Sequence, residues 1–371
     1  MASLLTELLH DARQRADDIV SSLEAIVSRG SVEVDAYRGK MKGLATHARQ
    51  LIDGLLNDPD IDDPKYATNY FREYCHFARL LRGLEDLPLL VLNRFSDSDQ
   101  RATDVMAAIC EEAGYPYSPP ICSAISSQYF WTMPDMDLVF IPCLEPDHVL
   151  GLPDIYHELG HILLFREESR LVYPALSIVD NHYDRLIAEG KRLNWPDASL
   201  EQVEQYKHNW RGSWLLEFAS DLIATYVIGP SFGWCNIRTA TNLGGELFVG
   251  TDSHPADDAR ATAIGMMLHE IGREPTQQQI QKRWSEILTL AMECSQPRYE
   301  VAYPRELMQD LTQFVSKQCD DLGLARFSTT AKNRPVAKMI DDCWTAFRNA
   351  PETYLDFERK QLGDVLARLR K

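Results

Sequence analysis

The chain of 371 residues has no apolar run close to the roughly 18 residues that a membrane-crossing helix needs. Its start, MASLLTELLHDARQR, meets acidic residues within the first turns and lacks the apolar centre of a secretion signal. Basic residues are in short supply: 38 Lys and Arg stand against 55 Asp and Glu, a net charge of −17. Nucleic acids and anionic membrane surfaces attract Lys and Arg, so neither is an expected partner. None of the eight cysteines has CxxC spacing, and their scatter does not suggest a small disulfide-bonded framework. That pattern suits buried free thiols in a reducing compartment. Internal repeats and low-complexity tracts are lacking too. The expectation is a soluble, cytoplasmic protein without membrane insertion, long enough for one large core or two ordinary ones.

Helical periodicity dominates what is present. Leu4, Leu5, Leu8 and Leu9, then Ile19, Leu23, Ile26 and Val27, recur at helical spacing. After a break near Arg29-Gly30-Ser31 the pattern resumes with Met41, Leu44, Ala48, Leu51, Ile52 and Leu55. Residues 1–57 therefore read as an N-terminal helical hairpin, and the acidic, Pro-containing NDPDIDDPK (57–65) as a boundary. Residues 66–114 look mostly helical. GYPYSPPI (114–121) must be a loop, because proline fixes φ and removes a donor. DLVFIP (137–142) is the clearest strand, stopped by Pro142. A helical insertion is expected over 169–198, then a capping box at Ser199 and Gln202 and a helical pattern up to Gly229-Pro230. The expected class is α+β and α-rich: a core over 66–265 with a small sheet, then a C-terminal helical region over 266–371.

The stretch DIYHELGHILLF (154–165) carries the chemistry. His157 and His161 stand four apart, so on a helix they share a face and can aim two imidazoles at one point. Glu158 lies about 100° round from His157. Two metal ligands and a general base on one rigid element are what this spacing provides. The blander alternative is a buried histidine pair bonded to its neighbours. Pro153 suits a first-turn position, and Asp154 complements the helix dipole. In WLLEFASDLIATYVIG (214–229), Glu217 and Asp221 share one face of an otherwise apolar helix. Two buried acids are costly unless they are paired or bound to metal. Glu217 is therefore expected as a third ligand, and Asp221 as acceptor for the outer N–H of His157 or His161. Three ligands that leave a fourth position for water describe one catalytic Zn²⁺ per chain.

HELGH followed by EFASD resembles the gluzincin metallopeptidases, whose pattern is HExxH and a downstream ExxxD. The long gap from His161 to Glu217, and the later SHPADDAR (253–260), look most like the HtpX and CAAX-prenyl-protease branch. That branch has a His-Pro and a following Arg downstream of its ExxxD helix. The resemblance covers about residues 125–265, and this chain lacks the branch's membrane helices. It implies a zincin-like core over 66–265 and zinc-dependent hydrolysis of protein or peptide substrates, with Glu158 as general base. It also implies that His254 faces the developing oxyanion and that Arg260 lines the cleft. By analogy with other zincins, Tyr299 and Tyr303 in RYEVAYP are further substrate-contact candidates. An extended peptide is expected along the edge of the sheet that includes 137–142. HEIGR (269–273), with Arg in the second ligand position, reads as the end of an ordinary helix. Two other readings stay open. One is a catalytically silent or partner-regulated binding module, whose helical arms take a regulatory partner or a second copy; the other is a zinc hydrolase of a non-peptide amide.

Overall fold

The leucine stripes near the N-terminus meet across a helical hairpin in the computed structural model, which describes residues 4–27, 31–127, 129–243, 247–295, 297–328 and 333–369. Contacts divide the chain into two units: Met1–Thr103 with Pro120–Ser123, and Asp104–Pro119 with Ala124–Lys371.

In the first unit, helices α1 (Leu4–Ala25), α2 (Val32–Leu56) and α3 (Ala67–Leu84) pack on one another. Leu9, Ala16, Ile19 and Leu23 of α1 and Met41, Ala45, Ala48 and Ile52 of α2 are fully buried, a stripe at helical spacing. Leu4, Val27 and Leu51 of the expected stripes are exposed instead. Ser31 caps α2, its hydroxyl accepting from the Val34 N–H; residues 28–30 of the expected break lie outside the described residues. Pro88 interrupts the helical ladder, giving a π turn (Glu85–Leu89) and the short α4 (Leu90–Asn93). The stretch 57–65 lies inside this unit, and α5 (Asp97–Ala113) runs across the division at Thr103.

The second unit holds the chemistry. Strand β1 (Ile121–Ser126) begins in the first unit and ends in the second; with β2 (Trp131–Met133) and β3 (Leu138–Pro142) it forms a sheet in the order β1-β3-β2. The apolar run of 138–141 is the central strand, buried as its composition requires. The edge strand β2 runs antiparallel to it, Trp131 opposite Phe140 and Met133 opposite Leu138.

Helices α6 (Pro153–Arg166), α7 (Glu168–Arg192), α8 (Asp197–Asn209), α9 (Leu215–Ile228) and α10 (Pro230–Leu243) follow. After them come α11 (Asp257–Glu270), α12 (Glu274–Ala291), the short α13 (Tyr299–Ala302), α14 (Arg305–Asp321), α15 (Pro335–Asn349) and α16 (Tyr354–Leu369). Residues 266–371 thus share a unit with the motif helices. α6 lies along α9, and α11 and α14 pack against α9. The capping box expected at Ser199 is not formed. Pro196 takes the cap position and starts α8 three residues earlier, so Ser199 sits inside the helix, its hydroxyl accepting from Arg298. HEIGR falls where α11 ends. The molecule is helix-rich with one small sheet, the α-rich α+β class. No described helix is long and apolar enough to cross a membrane.

Candidate metal centre

The face of α6 that carries the two histidines reaches α9 because the helices cross at small residues. A Cβ at Gly160 would stand 3.0 Å from the Cα of Ser220. Only glycine allows so close a backbone approach. Glu217 and Asp221 flank Ser220 and so come opposite His157 and His161, buried among the apolar residues of α9. His157 Nε2 lies 3.1 Å from His161 Nε2 and 3.4 Å from Glu217 Oε2, and His161 Nε2 lies 3.3 Å from Glu217 Oε1. Tetrahedral bonds of about 2.0–2.1 Å place neighbouring ligand atoms about 3.3–3.4 Å apart. The three groups can hold a metal ion between them, and two imidazoles with a carboxylate suit zinc.

Electrostatics favours a cation at the same point. Burial works against an imidazolium at His157, yet the facing Asp221 and Glu217 lift its pKa to about 10. Burial also opposes the Glu217 carboxylate, which the two imidazoles and Arg260 nevertheless hold well below the usual range. Both shifts favour positive charge at the centre. Behind it, Asp221 Oδ1 faces His157 Nδ1 at 2.8 Å, off the line of the ring N–H, and accepts two hydrogen bonds from Arg260, each of 2.7 Å. Burial raises the pKa of Asp221, but Arg260 against it brings it below the ordinary value. Phe232 of α10 stacks parallel to the His157 ring at 6.1 Å. Asp221 thus stands against the outer nitrogen of His157 and is itself fixed by Arg260.

No protein-family model matches this chain, and no curated protein or solved structure does either. The reading of the site rests on its geometry.

The centre opens into a cleft of ≈ 360 Å³. His157, Glu158, His161, Glu217, His254 and Arg260 all line it. Glu158 is 6% exposed, and no described residue makes a hydrogen bond or ion pair to its carboxylate; burial raises its pKa. His254 stands at the rim, its side chain 60% exposed, with Nε2 3.9 Å from Glu217 Oε1 and Nδ1 2.9 Å from the Ser253 hydroxyl. The Arg260 guanidinium is committed to Asp221 and lies 3.8 Å from Glu217. The structure does not bring Tyr299 and Tyr303 into the lining. Tyr299 donates to Asp258, and Tyr303 accepts from the Ala256 N–H, so both fasten the turn after His254 from behind.

Sequence reasoning missed much of the cleft lining. Tyr129, Phe130, Trp131 and Thr132 contribute to it from β2 and the turn before it, with Thr239 from α10 and Asp154 from the first turn of α6. Asp154, read only as a dipole partner, is 8% exposed and accepts from the Tyr129 hydroxyl at 2.7 Å and the Cys235 thiol at 3.3 Å. The available signal was an aromatic run, YFW at 129–131, just upstream of a predicted strand.

Proposed function

We propose that the chain is a zinc-dependent metallopeptidase of the gluzincin type, with α6, α9 and the small sheet as a zincin-like core. The observation that carries this reading is the convergence of His157, His161 and Glu217: the two Nε2 atoms lie 3.1 Å apart, and each faces one oxygen of the Glu217 carboxylate, at 3.4 and 3.3 Å, as ligands of one ion would. Zinc held there would supply a Lewis acid that makes a water molecule nucleophilic near neutral pH.

The chain's own residues do the rest. Glu158 faces the cleft with no hydrogen-bond partner among the described residues, and burial raises its pKa, as suits a general base. It takes the proton of the attacking water and delivers it to the leaving amine. His254 at the rim donates to the oxygen that gains charge. Asp221 and Arg260 hold His157 in its orientation. Trp131 and Thr132 of the edge strand line the cleft, so an extended peptide can add to β2 and lay its backbone across the centre.

Glu158→Gln tests the assignment. It removes the base and leaves the three ligands, so zinc content should stay near one per chain while peptide hydrolysis falls by about 10²- to 10⁴-fold. Hydrolysis within a factor of two of wild type in the zinc-loaded variant would remove Glu158 from the mechanism.

A further inference from the structure

The same cleft presents a carboxylate, Asp154, that makes no ion pair among the described residues. Asp154 lines the cleft while nine-tenths buried. Both of its donors, the Tyr129 hydroxyl and the Cys235 thiol, go to Oδ2. Among the described residues nothing donates to Oδ1, and no Lys, Arg or His lies within ion-pair distance. A buried carboxylate served by two neutral donors on one oxygen is incompletely satisfied. Burial raises its pKa, against the hydrogen bonds from Tyr129 and Cys235 and the charges of His157 and Arg260 beyond ion-pair distance. Beside it stand Tyr129, Phe130 and Trp131, which all line the same cleft. Trp131 is held rigid by stacking on Phe140, with ring centroids 4.0 Å apart and planes 10° apart. Aromatic faces attract cations as carboxylates do. The one arginine in the lining is neutralised by Asp221.

We infer that Asp154, with the aromatic wall of Tyr129, Phe130 and Trp131, forms a subsite for an ammonium group of the substrate. On the peptidase reading above, which this rests on, the preferred substrates carry an ammonium close to the bond that is cleaved. Two sources share that chemistry, the α-ammonium of a peptide N-terminus and a lysine side chain. The charge-assisted hydrogen bond to Oδ1 is the contact that selects it. Tyr129 and Thr239, whose hydroxyls are 3.2 Å apart, position the carboxylate from the other side.

The test uses three matched probes: leucyl-phenylalaninamide, its N-acetyl derivative, and N-acetyl-lysyl-phenylalaninamide. Binding is measured by calorimetry on zinc-loaded Glu158→Gln protein, so that the probes persist, and cleavage is followed by chromatography on the wild type. At least one ammonium-bearing probe should bind about tenfold more tightly than N-acetyl-leucyl-phenylalaninamide. The leucyl probe winning assigns the subsite to the N-terminus, and the lysyl probe winning assigns it to a side chain. Adding Asp154→Asn, which keeps an acceptor for Tyr129 but removes the charge, should close the gap.

Equal binding of the three probes, no binding of any, or a preference that survives Asp154→Asn overturns the subsite. The two readings separate cleanly. Cleavage of all three probes alike keeps the peptidase and removes the subsite. An ammonium preference in binding with no probe cleaved keeps the subsite and counts against the peptidase.

Discussion

Asp221 faces a histidine on one side and an arginine on the other, at no measurable exposure. Exchanging its carboxylate for an amide would leave Arg260 buried beside a neutral group and release the His157 ring. Partners that orient a ligand in this way are worth 10- to 100-fold in metal affinity. Asp221→Asn should therefore weaken zinc binding by that factor, measured by competition with a chelating dye. An affinity within twofold of wild type would reduce Asp221 to a partner of Arg260. At this scale the sequence was legible where residue type and helical spacing sufficed. His157, His161, Glu217 and Asp221 could be placed because each pair stands four apart on one helix face. Asp154 was not legible as a wall residue, because an acid in a first helical turn already has a commonplace explanation. Its partners Tyr129 and Cys235 are 25 and 81 positions away in sequence, and nothing local links them.

The two motif helices meet through glycine and serine, and that contact sets the spacing of the three ligands. In Gly160→Ala the new methyl would lie 3.0 Å from Ser220 Cα and 3.2 Å from its Cβ, so backbone rather than a flexible side-chain end must yield. Overpacking of this kind costs about 1–3 kcal/mol. The expected result is a stability loss of that size in urea unfolding, with reduced zinc content as α6 shifts from α9. Full zinc loading with unchanged stability would show that the crossing has slack. The elements themselves were unequally readable. The central strand announced itself as a run of four apolar residues, since a strand covered on both faces needs no alternation. The edge strand β2 has three half-buried residues, too few to show a period of two, and its place is fixed by pairing with β3. The start of α8 was misjudged because Pro196 outweighed the Ser199 box three residues on.

For the whole molecule, the consequence of the site is linkage between metal and folding. Two acids buried on α9 face two imidazoles and an arginine, and a cation at the centre removes the need for His157 to carry a proton. An ion that binds the folded chain only stabilises it by mass action, by about 2.7 kcal/mol at a free concentration 100 times its Kd. Both helices that supply ligands belong to the second unit, while α1, α2 and α3 form part of the first. Chelation should therefore lower the unfolding free energy by about that amount, with faster amide exchange concentrated in α6 and α9. Glu217→Ala should reproduce the zinc loss, and adding zinc back should restore the wild type but not the variant. Equal acceleration in α1, α2 and α9 would mean that chelation unfolds the chain as one piece rather than loosening the centre. Unchanged exchange in α6 and α9 would mean that no ion contributes to their packing, and the histidines of DIYHELGHILLF would then be a buried pair that shares a proton.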